Sequence, residues 1–258
     1  MGLIYIFIFA FGTIIGSFLN VVIDRFNTGR GLGGRSKCDA TGKVLSWYEL
    51  VPVWSYILQG GKSLHSKTKI SIQYPLVEAG TGILLLLIFQ KFWPMIYRFP
   101  EHFMFATLFY FTLSCLVVII VTYDIKHKII PNLFVWKFNI LVLLSVLVFY
   151  PTLWGLLAGP LVALPLFFLW FVSKGKWLGF GDVKLALGMG WLLGISGGFA
   201  ALLMSFWIGA VFGIFILIIK KTKNHQIPFA PFLILATGLS FLYTIDMNSI
   251  GRFFAMIL

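Results

Sequence analysis

The feature that most constrains this chain is a recurrence of apolar runs near the length of a membrane span, separated by connectors that hold nearly all of its charge. A helix needs about 20 mostly apolar residues to cross the hydrocarbon core of a bilayer. On that measure spans are expected near 3–23, 75–93, 102–122, 130–149, 152–172, 181–196, 199–219 and 228–245. Composition agrees: 60% of residues are hydrophobic and 11% charged, whereas soluble domains are about half apolar and about a quarter charged. The predicted fold class is all-α, a polytopic membrane helix bundle of about eight transmembrane helices with a loop region between the first two.

The formal net charge of +12 would suit nucleic acid only if the basic residues lined one face of a soluble domain, and here they sit between apolar runs. Membrane topology explains them. With the long loop 24–74 placed in the cytoplasm, alternation of the spans puts every Lys and Arg inside except Lys91, Arg98 and Arg252, as the positive-inside rule requires. Both termini then lie outside. The segment 181–196 is short and glycine-rich; a re-entrant hairpin is the alternative to a crossing, and it would carry Lys220, Lys221 and Lys223 to the outside. Glycine pairs at Gly12/Gly16, Gly190/Gly194 and Gly209/Gly213 fit close helix packing. Cys38 and Cys115 are too few for a disulfide framework. The expected organisation is a first transmembrane helix over 1–23, a cytoplasmic loop region over 24–74 and a membrane-embedded domain over 75–258.

An ionisable residue at membrane depth is expensive and so is a functional candidate. Among the acids, Asp24, Asp39 and Glu49 lie in the basic loop, where a solvated role is expected, and Glu101 and Asp246 lie on the outer side. Glu78 sits just inside the second span, facing either the bundle or the head groups. Asp124 and Asp182 remain, each in a short connector at the cytoplasmic end of a span. Two carboxylates that share one proton can activate water for amide hydrolysis, one as base and the other as acid. The plainer reading keeps Asp182 as a helix cap and Asp124 as an interfacial residue paired with Lys126 or Lys128. His65, His102, His127 and His225 show no metal-ligand spacing.

The segment Gly179-Phe180-Gly181-Asp182-Val183-Lys184 resembles the Gly-x-Gly-Asp intramembrane aspartyl proteases, and more closely the bacterial type IV prepilin peptidases. Gly16-Ser17-Phe18-Leu19-Asn20-Val21-Val22-Ile23, Ile70-Ser71-Ile72-Gln73-Tyr74-Pro75-Leu76-Val77-Glu78, Asp124 with Ile130-Pro131-Asn132, and Ile227-Pro228-Phe229-Ala230-Pro231-Phe232 resemble further segments of that family in the family's order. The resemblance covers nearly the whole chain. It implies cleavage of basic leaders from type IV prepilins or pseudopilins at the cytoplasmic face of a bacterial inner membrane, with Asp124 and Asp182 matching the catalytic pair. Gly179 and Gly181 would let the backbone approach a peptide substrate, a tight turn being the plainer use. Lys184 and Glu78, inside matching segments, are taken as supporting residues.

The resemblance extends to N-methylation of the new N-terminus with S-adenosylmethionine; the peptidase itself is expected to use no cofactor. The family's loop usually carries two Cys-x-x-Cys pairs suited to zinc, and their positions fall at Cys38, Thr41, Ser63 and Ser66. Three of the four ligands are absent, so no zinc is expected. Expected partners are prepilin or pseudopilin substrates and the lipid bilayer, with no nucleic acid. A proton- or ion-coupled transporter is the competing reading, because paired acids and glycine-broken helices also serve transport; its site would lie near the midplane rather than at a membrane edge. A secretion-apparatus scaffold, a third reading, would make the acids dispensable.

Overall fold

The computed structural model describes residues 2–29, 31–37, 41–149, 151–220 and 227–257, with backbone alone for Lys220 and 253–257. Among these residues the chain is built of helices: α1 (Gly2–Arg25), α2 (Trp54–Leu58), α3 (Gln73–Phe92), α4 (Pro100–His127), α5 (Asn132–Phe149), α6 (Leu153–Ser173), α7 (Phe180–Lys220), α8 (Ala230–Tyr243) and α9 (Met247–Ile257). Two compact units divide the chain, Met1–Thr122 and Tyr123–Leu258. The division falls inside α4.

In unit 1, α1 and α3 come into backbone contact because glycines face the partner helix. A Cβ on Gly12 would stand 2.7 Å from the Cα of Gly82, and one on Gly16 2.7 Å from the Cα of Glu78. Polar side chains then pair across the seam. Asn20 donates to the Tyr74 carbonyl (3.1 Å), Gln73 donates to Asn20 Oδ1 (3.4 Å), and the Tyr74 hydroxyl donates to Asp24 Oδ2 (2.8 Å). Such bonds hold helices together where burial of apolar surface supplies no drive between them. The first half of α4 adds Phe111 to a core with Leu85 and Ile88, flanked by Ile8, Ile15 and Cys115.

The region between α1 and α3 folds around short-range contacts, with isolated antiparallel bridges at Lys37–Val44 and Lys62–Lys69. Glu49, expected to be solvated, is instead buried. Its Oε2 accepts from the Ser46 backbone N–H (2.8 Å) and lies 3.3 Å from His65 Nε2, which ties the 3₁₀ turn Trp47–Leu50 to the second bridge. Cys38 lies outside the described residues. At the other positions aligned with the family's cysteines, the Ser63 N–H donates to the Thr68 carbonyl (2.9 Å), and Ser66 Oγ and Thr68 Oγ1 are 2.6 Å apart.

In unit 2, α7 packs against α5, α6 and α8. Pro160 inside α6 has no N–H and so frees the Leu156 carbonyl four residues earlier. Trp191 Nε1 donates to that carbonyl at 2.9 Å, while Gly159 makes room for the same indole, which a Cβ would meet at 2.5 Å. A proline in one apolar helix is thus compensated by a side chain of its neighbour.

The expected sixth and seventh spans are the two arms of α7. Helical geometry fails at Gly194 (φ 73, ψ −178), a conformation open almost only to glycine. The chain folds back there: a Cβ on Gly198 would lie 3.3 Å from the Cα of Gly190, whereas eight residues of straight helix advance about 12 Å. Gly194 is therefore a bend, not half of a packing pair; Gly190 and Gly198 make the close contacts, against Ala158–Gly159 and Val162. The pair Gly209/Gly213 is not a close-packing seam either: Gly213 has nothing within 4 Å of a Cβ and Gly209 only ordinary contacts. Counted by length and composition, six helical stretches of the described residues are long and apolar enough to cross a membrane, Gly2–Arg25, Gln73–Met95, Pro100–His127, Asn132–Phe149, Leu153–Ser173 and Phe180–Ile219, the last of them bent into two arms at Gly194. The last expected span shrinks to α8, 14 residues, about 21 Å long and short for a crossing. The protein is a multi-pass helical membrane protein.

Candidate active site

Asp124 lies in the last turn of α4. The helix ends because Lys128 takes a left-handed conformation (φ 57), its N–H closing on the Asp124 carbonyl at 2.7 Å. The chain then turns through Ile130-Pro131 into α5. Asp182 lies in the first turn of α7, three residues after Gly179, whose carbonyl accepts the Asp182 N–H (3.2 Å). Its carboxylate reaches back to the N–H of Gly179 and to its own, as an acid at the third helical position commonly does. The capping role is real, and it occupies one side of the carboxylate.

Both acids are buried, Asp124 to 5% exposure and Asp182 to 7%, and their charges are close enough to interact. A third element completes the pair: the backbone N–H of Ala230, opening α8, donates to Asp124. Each carboxylate is therefore held by backbone N–H groups, while Asp124 Oδ2 and Asp182 Oδ1 are buried with no hydrogen-bond partner among the described residues. Buried polar atoms are nearly always paired, so two bare oxygens on neighbouring acids call for an explanation. A water and a peptide bond between them would satisfy both.

The neighbours of the pair hold its helices in place. Gly181 gives α7 room beside the turn that follows Asp124, since a Cβ there would stand 2.8 Å from Ile130 Cβ. The Lys184 ammonium donates to Asn132 Oδ1 at 2.8 Å and lies 5.1 Å from the Phe180 ring centroid, so it braces α7 against α5. Gly179 and Phe180 are exposed and border the buried pair, the arrangement needed for a chain to approach. Glu78 is elsewhere in its bonding: buried in α3, it accepts from Val53 N–H and from Ser17.

Two contributors carry no charge to mark them in the sequence. Ala230 acts through its backbone, which no residue type advertises. Asn139, buried in α5 at 1% exposure, donates to the Lys184 carbonyl at 2.9 Å; a polar residue inside an apolar run is the available signal. Among the described residues no three His, Cys, Asp or Glu side chains cluster as a metal site would require.

A helical membrane bundle with two buried carboxylates paired at helix ends has the make-up of an intramembrane aspartyl peptidase. The comparisons identify the family. Residues 10–92 match the Bacterial Peptidase A24 N-terminal domain, and residues 110–214 match the Type IV leader peptidase family. The chain is 30% identical to a prepilin leader peptidase/N-methyltransferase of Xanthomonas campestris pv. campestris, over 92% of this chain and 90% of that protein. It is 30% identical to one of Bacillus subtilis (92% and 93%) and 28% identical to one of Vibrio cholerae serotype O1 (76% and 80%). No solved structure matches. The chain belongs to the type IV leader peptidase family.

Proposed function

We propose that the protein cleaves leader peptides from type IV prepilins or pseudopilins, with Asp124 and Asp182 as the catalytic acids. The observation that carries this reading is the pair of bare, buried oxygens, Asp124 Oδ2 and Asp182 Oδ1, on carboxylates whose other sides are fixed by backbone N–H groups. Fixed carboxylates lose no orientation during reaction. The ionised member takes a proton from water as the water attacks the scissile carbonyl, and the protonated member donates to the departing amine. Gly179, exposed beside the pair, lets the substrate backbone lie close to it, while the space left by Gly181 is taken by Ile130. The position of both acids at helix ends fits a substrate leader entering from the membrane surface, and it gives no support to a transporter. A bacterial inner membrane and an active site on its cytoplasmic side belong to the same reading; the basic loops support the cytoplasmic side by the positive-inside rule.

The test is leader removal from a prepilin by the purified enzyme in lipid. Asp124→Asn and Asp182→Asn should each lose about 10²–10⁴-fold or more in rate while inserting and accumulating normally. Near-normal processing by either variant would falsify the pairing and return that acid to a structural role.

The relatives' names include N-methyltransferase. S-adenosylmethionine carries a sulfonium and an ammonium, which call for accessible unpaired acceptors. Three described acids of unit 1 are already engaged: Glu78 is bonded to Val53 and Ser17, Asp24 to Tyr74, and Glu49 to Ser46 and His65. For zinc, Thr41 and the serines at 63 and 66 bring hydroxyls where thiolates would be needed; the loop's folding without metal rests on that donor set.

A further inference from the structure

The loop between α1 and α3 carries the least expected surface of the protein. Within twelve residues Trp47, Tyr48, Trp54, Ile57 and Leu58 are exposed, Trp47 to 80% and Leu58 to 84%. A solvated loop does not present aromatic and aliphatic side chains at this density. Its backbone is equally unusual. Val53 adopts φ 63, ψ −52, a geometry costly for a β-branched residue. With the Trp54 N–H bonded to the Pro52 carbonyl at 2.6 Å, this is a γ-turn of the rare, strained kind. The turn points the Val53 N–H at Glu78, whose Oε2 accepts it at 2.7 Å.

Glu78 fixes the depth of this turn. It lies five residues into α3, about 7–8 Å along the axis from Gln73, and α3 begins a stretch apolar enough to span a bilayer. The loop backbone is therefore drawn to the level of the second turn of a membrane helix, not held out above it. At that level the neighbouring medium is the head-group and acyl boundary. Trp and Tyr concentrate there because one end of each ring is apolar and the other polar. Exposed Lys43 precedes the patch by four residues in the chain and supplies a cation for lipid phosphates. Backbone donors are engaged as a low-dielectric setting favours: the N–H groups of Ser55, Ile57 and Gln59 donate to the carbonyls of Val51, Val53 and Ser55, and Glu78 takes the Val53 N–H at the γ-turn.

We propose that residues 47–58 form an interfacial membrane anchor, with Trp47, Tyr48, Trp54, Ile57 and Leu58 set into the lipid boundary and Glu78 pinning the anchor at that depth through the Val53 N–H. The occupant of the exposed patch is lipid. The anchor does not depend on the peptidase reading, and its test does not read cleavage.

In the full chain with Cys38→Ser and Cys115→Ala, nitroxide labels at Leu58→Cys, Trp47→Cys and, as the aqueous reference, Lys62→Cys are compared in nanodiscs of phosphatidylethanolamine and phosphatidylglycerol. Power saturation reports access to oxygen, which partitions into lipid, and to a water-soluble nickel chelate. The expected oxygen-to-nickel ratio at Leu58 and Trp47 is several-fold above that at Lys62. Equal ratios would mean that the patch faces water, and exclusion of both probes or dipolar broadening would mean that protein or a second copy covers it; each overturns the anchor. In Glu78→Ala the ratio at Leu58 should fall towards that at Lys62, with Glu78→Gln retaining it. An unchanged ratio in a folded Glu78→Ala overturns the pin, and should that variant fail to fold, the labels in the Glu78 protein still decide the anchor.

Discussion

On the proposed reading, Asp182 serves structure and chemistry with one side chain. One side of its carboxylate caps α7 through the Gly179 N–H, and Oδ1 stays bare beside Asp124. The sequence poses these as rival readings, and they are compatible because a carboxylate has two oxygens. Gly181 is the residue on which this geometry most depends. An added methyl would meet Ile130 at 2.8 Å, pushing the start of α7 from the turn after Asp124. Overpacking of this kind costs about 1–3 kcal/mol, and misplacement of a reacting group by about 1 Å can cost about 10²-fold in rate. Gly181→Ala should therefore lose leader cleavage far more than thermal stability, whereas Gly179→Ala, whose nearest contact for a Cβ is Asp182 Oδ2 at 3.4 Å, should lose less. Cleavage rates beside melting curves of the two purified variants check the order; equal losses would remove the Ile130 contact from the explanation.

At the level of elements, the long apolar helices are legible in the sequence because hydrophobic length is a strong signal, and the close seam of α1 with α3 is legible in Gly12 and Gly16. The form of α7 is not. Gly188, Gly190 and Gly194 look alike in a sequence, yet only Gly194 takes a positive φ, and that depends on which neighbours the arms find. The same holds for Trp191, whose indole serves a carbonyl freed by Pro160 in another helix. Both contacts can be tested by substitution. Gly194→Ala should destabilise the α7 hairpin by about 1–3 kcal/mol, the usual cost of a non-glycine residue in such a region. Hydrogen exchange should then quicken in both arms of α7 while α1 and α3 stay protected. Trp191→Phe keeps most of the ring volume but leaves the Leu156 carbonyl unpaired, a loss of about 1–3 kcal/mol. A melting temperature equal to that of the parent would show that the carbonyl finds another donor.

For the molecule as a whole, family resemblance and charge placement make the two acids legible in the sequence, while Ala230 and Asn139 stay hidden because they act through a backbone group and a neutral amide. The loop is the least legible part. Glu49 looks like a solvated acid among lysines, and it is the buried partner of Ser46 and His65. That contact bears on metal. On the proposed reading, a loop whose 3₁₀ turn is tied to its second bridge by Glu49 and His65, with hydroxyls at three of the positions aligned with the family's cysteines, closes without zinc. Prolonged chelation should leave leader cleavage and melting temperature unchanged, and Cys38→Ser should be tolerated. Glu49→Ala should instead leave Ser46 and His65 without their acceptor and make the loop the first region cut by protease, at a cost of about 1–3 kcal/mol. Stoichiometric zinc in the purified protein, released together with activity, would show that metal holds the loop and that the Glu49–His65 contact is secondary to it.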